Sequence, residues 1–371
     1  MVASNRRDRI QADATRLLEA GVSGQVFPGA AAAVSWREHG ETQVAVSCAG
    51  RLTPGGGRTG PDTPYDLASI TKPFVATSAL RLVASSQLAL DVRAESYISD
   101  IRGTIGGQAT LEELLSHRSG LAAWGGLYLD VPHERGTPAA RRWIISEAAR
   151  RPAEEDRGKV IYSDLGYMLA GELISKIAGC TLDQVVAEQV TEPLGIAGEV
   201  YYAGVASPER KGTLIRTAAP TEMCDWRGRV ARGEVHDENC AALAGVSGHA
   251  GLFGTARGVA IFGRALLDSL QKRLDFLPSD LIAKALTRPV GSTSTYRLGW
   301  DSKGDDARTG KRLSPHSFGH FGFTGTSLWC DPARDVVLVL LTNRVHKSRA
   351  NEKIKGFRPA FHDGILAVLE S

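Results

Sequence analysis

A serine and a lysine three residues apart stand at the start of an apolar segment, in the run 67–72. Residues with this spacing share one face of a helix, so the Ser69 hydroxyl and the Lys72 amine would lie side by side. A hydroxyl is a weak nucleophile at neutral pH and needs a neighbouring base, which a lysine can supply. At the first turn of a helix, the backbone N–H of Ser69 would also be available to an oxyanion. The pair therefore predicts acyl transfer to a serine.

The same spacing occurs a second time, at Ser269 and Lys272, inside a polar helical segment. A Ser-x-x-Lys motif is also compatible with an N-cap serine and a solvated lysine, and it indicates chemistry only in its structural context. Other parts of the chain are needed to decide between the chemical and the structural interpretation of Ser69.

Two further segments contain residue types suited to the same chemistry. Tyr162 lies on a turn before a helix, where a phenol can relay protons between a nucleophile and a leaving group. The alternative for this segment is a buried tyrosine with Asp164 as N-cap. The glycine-rich segment 319–326, which contains His320, lies on a late strand. Glycines in a strand often mark close approach of a ligand, and the alternative is a bulged edge strand.

Composition excludes several classes of function. The chain has 371 residues, 43% hydrophobic and 23% charged, which is typical of globular proteins. Its 44 basic and 41 acidic residues are interspersed, so nucleic-acid binding is disfavoured. The charged stretch Met1–Glu19 lacks the apolar core of a signal peptide, and runs such as Val336–Leu341 are too short to span a bilayer. A cytoplasmic protein without membrane association is the expectation.

Cysteine and histidine usage argues against metal or disulfide frameworks. The five cysteines are widely spaced and odd in number, as expected of reduced thiols. His236 and His249 lack metal-ligand spacing, so neither a metal nor a cofactor is expected. These two and His117 are predicted to be structural. Ser247 stands in a sequence that lacks the last glycine of the G-x-S-x-G nucleophile elbow, which excludes that alternative.

The hydrophobic pattern predicts strands at both ends of the chain and helices between them. The predicted strands are 29–36, 42–50, 296–301, 317–331 and 336–343, and the predicted helices are 6–20, 69–86, 111–116, 138–149, 166–179, 259–274, 278–286 and 356–369. This order predicts an α/β (α+β) fold in a single domain, 1–371. Its sheet subdomain would come from 1–66 and 288–371, and its helical subdomain from 67–287.

The ordered motifs resemble those of the serine β-lactamase and penicillin-binding-protein superfamily, which are S-x-x-K, Y-x-N and K-T-G or H-x-G. The matching positions are Ser69-x-x-Lys72, Tyr162-Ser163-Asp164 and His320-Phe321-Gly322. Segments 110–121, 233–239 and 248–253 are also similar to members of the branch that contains class C β-lactamases, D-Ala-D-Ala carboxypeptidases and related esterases. The resemblance extends from about Gly29 to Leu369. It implies an antiparallel sheet flanked by helices, with an all-helical insertion.

The resemblance also implies roles for individual positions. Ser69 would be the acylated nucleophile. Lys72 and Tyr162 would be the pair that activates it and later passes the proton to the leaving group. The backbone N–H groups of Ser69 and Phe323 would form the oxyanion hole. The candidate substrate-binding and oxyanion residues are Asp164, His320, Phe321, Gly322 and Phe323.

Three positions depart from the usual motifs. His320 is mostly neutral at pH 7 where a lysine is more usual. Phe321 places an aromatic ring where a small threonine is common, and Asp164 places a negative charge that would repel an anionic acyl donor unless it is paired. All three favour neutral esters over carboxylate-bearing substrates. We therefore predict a serine hydrolase that acts as a carboxylesterase on small acyl substrates.

Three alternatives use the same motifs. A β-lactamase or D-Ala-D-Ala carboxypeptidase is disfavoured because the sequence shows no export signal, and those substrates lie outside the cytoplasm. An acyltransferase on the same scaffold would pass the acyl group to an alcohol or amine, and the sequence does not separate it from a hydrolase. A sensor that stays acylated is disfavoured because no transmembrane segment or linker to a second domain is present.

Overall fold

The computed structural model describes residues 6–154, 157–288, 292–305 and 307–370. The strands are β1 (Gly29–Glu38), β2 (Glu41–Gly50), β3 (Tyr65–Asp66), β4 (Val200–Tyr202), β5 (Met223–Cys224), β6 (Arg229–Val230), β7 (Leu252–Gly254), β8 (Asp301–Ser302), β9 (Phe318–Phe321), β10 (Ser327–Asp331) and β11 (Val336–Thr342). The α-helices are α1 (Arg6–Ser23), α2 (Thr71–Ala84), α3 (Ile105–Gln108), α4 (Leu111–Leu115), α5 (Leu127–Asp130), α6 (Pro138–Ala149), α7 (Asp164–Ala178), α8 (Leu182–Val186), α9 (Pro208–Thr217), α10 (Glu238–Ala242), α11 (Ala256–Leu270), α12 (Ser279–Leu286) and α13 (Ile354–Glu370).

The main sheet joins the two ends of the chain, as the sequence predicted. It has six antiparallel strands in the order β2-β1-β11-β10-β9-β8. The hairpin β1–β2 meets the C-terminal strands where β1 pairs with β11, with Ala33 opposite Val339. The predicted antiparallel sheet flanked by helices is confirmed.

Both faces of this sheet are covered, which explains why β1 and β11 are continuously apolar and do not alternate. Ala31, Ala33, Val339 and Leu341 belong to a core shared with α2 and α11. The alternate residues of the same strands face a second core that is closed by α1 and α13. The helical middle of the chain therefore attaches to only one face of the sheet.

Helix α2 lies at the centre of the larger core. Eleven of its fourteen residues are buried, so it is surrounded by protein and has no solvent face of its own. The Phe74 ring stacks on Phe262 of α11, with ring centroids 3.7 Å apart. A single 3-10 turn, Ala68–Ile70, precedes the helix. The predicted helix 69–86 is thus present, and its first turn is tighter than expected.

Two predicted strands differ in the structure. The segment 296–301 folds back on itself, with Arg297 N donating to Trp300 O at 2.7 Å, and only Asp301 and Ser302 form a strand. Gly299 permits this turn because its φ is +88°, and a Cβ there would lie 2.2 Å from Ala76 Cβ. The predicted strand 317–331 is divided into β9 and β10 by a turn at 322–325.

The middle of the chain is mainly helical but contains short strands. β7 pairs with β3 and β4, and this small sheet places the segment before Ser69 beside residues 249–252. Ser163 is the N-cap of α7, where the sequence suggested Asp164 as one alternative. The division into a sheet subdomain and a helical subdomain stays a prediction. Among the described residues, no helix combines the length and the apolar character needed to cross a bilayer.

Candidate active site

Ser69 lies on a turn that is held from several directions. Ala68, immediately before it, has a φ of +48°, which is rare for a residue other than glycine and is found at functional sites. The Ala68 N–H donates to Asp66 Oδ1 at 2.8 Å, and Leu67 N donates to Leu252 O at 2.9 Å. The turn buries Ile70 in the core and leaves Ser69 half-buried on the wall of a cleft.

Lys72 is completely buried beneath Ser69 and has three hydrogen-bond acceptors. Its Nζ lies 3.0 Å from Ser69 Oγ, 2.6 Å from Asp164 Oδ1 and 3.3 Å from the His249 carbonyl oxygen. An ammonium group has three protons to donate, and a buried charge requires a partner of opposite sign. The Asp164 carboxylate is that partner, so its negative charge is paired and need not repel an anionic acyl donor.

Tyr162 lies against the same lysine, with Lys72 Nζ 4.8 Å from its ring centroid. Burial, reinforced by the Asp164 carboxylate, raises the pKa of the Tyr162 phenol well above its ordinary value, although a hydrogen bond with Ser69 acts in the opposite direction. The phenol is therefore protonated at neutral pH. It can donate a proton toward a group bound at Ser69.

His117 supports Tyr162 from behind and is not in the cleft. Its carbonyl accepts from Ile161 N at 2.9 Å, and its Nδ1 accepts from Ser163 N at 3.0 Å, so it binds both neighbours of Tyr162. Burial, with the nearby Lys72 charge, lowers the pKa of His117 well below its ordinary value, which leaves Nδ1 free to accept. This is the structural role that the sequence predicted for His117.

The third motif is tied directly to the backbone of the nucleophile turn. Thr326 Oγ1 donates to Leu67 O at 3.0 Å, and Thr324 Oγ1 donates to Asp66 O at 2.8 Å. Gly322 has no room for a side chain, because a Cβ would lie 2.7 Å from Leu67 O. The predicted close approach at this glycine is thus to protein backbone. In the part of the chain that the structure describes, the Phe323 N–H donates to no protein acceptor and is available to an oxyanion.

His320 is neutral in this environment. Burial, together with the Lys72 charge, lowers its pKa to about 3, and only 3% of the residue is exposed. Its Nδ1 lies 2.8 Å from the Phe321 carbonyl oxygen, which assigns the proton to Nδ1 because a carbonyl can only accept. The other ring nitrogen is then an acceptor. His320 therefore cannot provide the cationic donor that a lysine offers at this position.

The cleft has a volume of about 760 Å³. Of the eight residues that the sequence singled out, seven line it and Lys72 lies directly below Ser69. The lining residues that the sequence analysis missed include Trp124, Tyr296, Asp301, Arg308, Arg344, Arg349, Lys355 and Arg358. These side chains have no motif around them, and only the folded chain brings them to Ser69.

Each cationic side chain that lines the cleft already has a partner. Arg349 pairs with Glu222 and Glu238, at 2.6 and 2.7 Å. Arg344 and Arg358 donate to backbone carbonyls, among them those of Phe323, Gly322 and Thr326. Lys355 pairs with Glu352, and Arg308 donates to Thr295. Arg344, Arg349 and Arg358 thus hold the walls of the cleft, whereas the contacts of Lys355 and Arg308 are exposed to solvent.

A buried chain of polar groups fixes the third acceptor of Lys72. His249 Nδ1 lies 2.9 Å from Ser247 Oγ, and His249 Nε2 lies 2.8 Å from Asp237 Oδ1. Asp237 in turn accepts from Cys240 N as the N-cap of α10. His249 thus has a structural role through its ring, while its carbonyl contacts the candidate base. Across the described ranges, no group of three or more histidine, cysteine or acidic side chains is arranged to hold a metal ion.

Comparisons with known proteins identify the family of the chain. The model of the family described as Beta-lactamase matches residues 14–357. The chain is 31% identical over 309 residues to the N-acetylmuramyl-L-alanine amidase of Bacillus subtilis (strain 168), covering 76% of this chain and 68% of the relative. It is 31% identical over 321 residues to a putative D-alanyl-D-alanine carboxypeptidase of Escherichia coli (strain K12), covering 78% of this chain and 71% of the relative.

The fold is also that of solved structures. EstCE1, described as a hydrolase with promiscuous acyltransferase activity, superposes with a TM-score of 0.76 at 16% identity and covers 97% of this chain and 99% of its own. At that identity the likeness concerns the fold alone, whereas the family match extends over most of the sequence. The chain therefore belongs to the beta-lactamase family, within the superfamily of serine hydrolases.

Proposed function

We propose that the protein is a carboxylesterase that forms an acyl ester on Ser69 and releases it to water, with neutral esters as its preferred substrates. The observation that carries the proposal is the buried Lys72, which bridges the Ser69 hydroxyl and the Asp164 carboxylate below a cleft whose third motif is uncharged. The substrate is a small acyl compound.

The proton of Ser69 has a continuous path away from the nucleophile. Lys72 Nζ gives one of its protons to Asp164 Oδ1 across 2.6 Å, and the lone pair that this frees accepts the proton of Ser69 Oγ as the oxygen attacks the ester carbonyl. Charge is thereby redistributed within the buried pair and no group becomes isolated. Asp164, where asparagine is common, supplies the final acceptor.

The tetrahedral intermediate is stabilised and collapses within the same site. Its oxyanion is bound by the backbone N–H groups of Ser69 and Phe323. The C–O bond to the alcohol breaks as the protonated Tyr162 donates to the leaving oxygen, and the proton held by Asp164 and Lys72 restores the phenol. Water then attacks the acyl-Ser69 ester by the same route in reverse, which releases the acid and regenerates the hydroxyl.

The third motif and the arginines of the cleft select substrates by their charge. Penicillins and D-Ala peptides carry a carboxylate, which needs a charge-assisted donor to offset its desolvation. His320 is neutral, and Phe321 presents an aromatic ring. Arg349 is paired with carboxylates, and Arg344 and Arg358 donate to backbone carbonyls. Neutral esters do not incur this cost.

The test is a panel of p-nitrophenyl esters beside nitrocefin and a D-Ala-D-Ala peptide, with mass spectrometry of the intact protein and of the products. We expect an acyl adduct on Ser69 and faster turnover of p-nitrophenyl acetate than of the two carboxylate-bearing compounds. Faster hydrolysis of penicillins than of the acetate ester contradicts the esterase assignment and favours a β-lactamase or carboxypeptidase.

The names of the relatives favour a second candidate, hydrolysis of an amide bond. The relatives that are 31% identical are described as an amidase and a putative carboxypeptidase, and both names imply cleavage at an amide. A matched ester and amide with the same acyl group separates the two candidates, because an amine leaving group requires complete protonation whereas p-nitrophenolate does not. Added alcohols in the same assay detect transfer of the acyl group to an acceptor other than water.

A further inference from the structure

Two aromatic side chains at the cleft are unusually exposed. Trp124 is 49% exposed and Phe323 is 47% exposed, and both line the cleft that contains Ser69. Large aromatic rings normally contribute to a core, and exposed ones beside a functional cleft are candidates for ligand binding. The surroundings of each ring show whether it is placed for that purpose.

The Phe323 ring is held in place without being covered. Phe323 is the second residue of a turn closed by a hydrogen bond from Gly325 N to Gly322 O at 3.1 Å. The ring stacks on His236 at 5.5 Å, and the guanidinium groups of Arg344 and Arg349 lie 4.7 and 5.8 Å from its centroid, which leaves 47% of the residue exposed. Arg344 also donates twice to the Phe323 carbonyl, at 2.7 and 3.0 Å. The exposed part of the ring is therefore a preorganised apolar surface.

The backbone on either side of Trp124 is likewise held in place by hydrogen bonds. The preceding carbonyl, that of Ala123, accepts from Asp164 N at 2.8 Å. The following carbonyl, that of Gly125, accepts from Asn239 Nδ2 at 2.8 Å. Trp124 is thus attached to the segment that supplies Tyr162 and Asp164, while Phe323 belongs to the segment that supplies the oxyanion donor.

The position of Phe323 places its ring beside the reacting carbonyl, to which the rest of the acyl group stays bound after the alcohol has left. Its own N–H is the proposed oxyanion donor, so its side chain starts next to the carbonyl carbon that Ser69 attacks. The volume of about 760 Å³ is far larger than an acetyl group needs and lies in the range of clefts that bind drug-sized ligands. Aromatic rings that are about half exposed favour an aromatic partner, because aromatic pairs gain from offset or edge-to-face contact.

We propose that Trp124 and Phe323 bind the acyl group of the substrate and that the preferred substrates are esters whose acyl group carries an aromatic ring. The proposal rests on the acyl-Ser69 function above and specifies its substrate class. It assigns the two rings to specificity, while the chemistry remains with Ser69, Lys72 and Tyr162.

The experiment compares p-nitrophenyl acetate, butyrate and phenylacetate, which share one leaving group. The kcat/KM ratio of phenylacetate to acetate, corrected for alkaline hydrolysis of the same esters, is measured for the native protein and three variants. We expect a native ratio of about ten or more, and a roughly tenfold smaller ratio in Trp124→Ala and in Phe323→Ala, the range that differences in an apolar pocket produce. Tyr97→Ala is the control, because Tyr97 is also 49% exposed but does not line the cleft.

The outcomes separate this proposal from the proposed function. A native ratio near one, or variants that keep the native ratio, overturns the aromatic binding site even if mass spectrometry finds acyl-Ser69. Absence of any acyl-Ser69 with all three esters contradicts the proposed function itself. Thermal unfolding of each variant checks the fold. If Phe323→Ala is unfolded, Phe323→Leu and Trp124→Ala decide, since the leucine keeps apolar bulk but loses the planar face and should give an intermediate ratio.

Discussion

The two Ser-x-x-Lys motifs of this chain have opposite surroundings. Ser69 and Lys72 stand where α2 begins, with the serine at a cleft and the lysine fully buried against Asp164. Ser269 and Lys272 stand where α11 ends. Ser269 is 1% exposed, its hydroxyl has no hydrogen-bond partner among the described residues, and Lys272 is exposed just beyond the helix.

The difference shows what the motif requires beyond its spacing. The beginning of a helix offers unpaired N–H groups and a partial positive charge, which suit an oxyanion, and the end of a helix offers the reverse. Lys72 also has a carboxylate and a carbonyl that the rest of the chain supplies. Within the described part of the chain, Lys272 has neither partner and projects into solvent, where an ammonium group is strongly hydrated.

The largest expected difference between the two motifs is the effect of replacing each serine on kcat. Ser69→Ala should lower kcat by roughly 10³-fold or more, as other nucleophile deletions do, while Ser269→Ala should leave kcat unchanged. Steady-state kinetics on p-nitrophenyl acetate measures both variants. A serine-reactive phosphonate should label Ser69, and labelling of Ser269, Ser163 or Ser247 in its place would reject the assignment.

The lysines should differ in the same direction. Lys72→Ala should cost about 10²–10⁴-fold in kcat, the range for groups that transfer protons, and Lys272→Ala should cost nothing. Tyr162→Phe should fall in the same range as Lys72→Ala. The double variant should lose far less than the product of the two single losses, because both side chains act on one proton. Near-native turnover by Tyr162→Phe would show that the phenol only fills space.

Substrate charge offers a smaller test of the region around Ser69. Combining His320→Lys with Phe321→Thr restores a cation and a small polar side chain, and one charge-assisted hydrogen bond is worth about 1.5–3 kcal/mol. The kcat/KM for nitrocefin should rise about ten- to hundredfold, with no gain for p-nitrophenyl acetate. An equal gain on both substrates would mean that the changes act on the chemistry and not on recognition of the carboxylate.

The two regions should also differ in how their stability depends on pH. His320 has a pKa of about 3 in the folded protein against 6.5 when unfolded, so the unfolded chain binds more protons as the pH falls below 6.5. Protonation of this group in the unfolded chain should therefore lower the free energy of unfolding by about 2 kcal/mol between pH 7 and pH 5. Beside Ser269, burial opposes ionisation of Asp268, but hydrogen bonds from Arg273 and the Arg264 charge lower its pKa. The stabilisation that ionised Asp268 gives the folded protein is lost only when the pH falls below the ordinary pKa of 3.8.

Urea unfolding at pH 7 and pH 5 measures this difference. His320→Gln should reduce the loss of stability between the two pH values, because the titrating group is gone. Asp268→Asn should destabilise the protein by a similar amount at both pH values. A pH dependence that is unaltered in His320→Gln would show that other groups, such as His117, account for it.

Much of the fold followed from the sequence because its signals are local. The apolar runs of β1 and β11 and the amphipathic pattern of α13 are properties of consecutive residues, and they predicted the elements and the sheet built from both chain ends. The predicted strand at 296–301 was wrong because Gly299 turns the chain there to pass Ala76. That contact joins residues more than two hundred positions apart and leaves no local pattern.

By itself, the sequence determined the types and order of the candidate groups, from Ser69 and Lys72 through Tyr162 to His320. These are chemical identities, and the resemblance of their order to a family's motifs is readable without coordinates. Only the tertiary structure decided that Asp164 pairs with Lys72, that burial lowers the pKa of His320 to about 3 and that Trp124 lies at the cleft. Ionisation, burial and proximity are properties of an environment, and folding assembles that environment from segments that are distant along the chain.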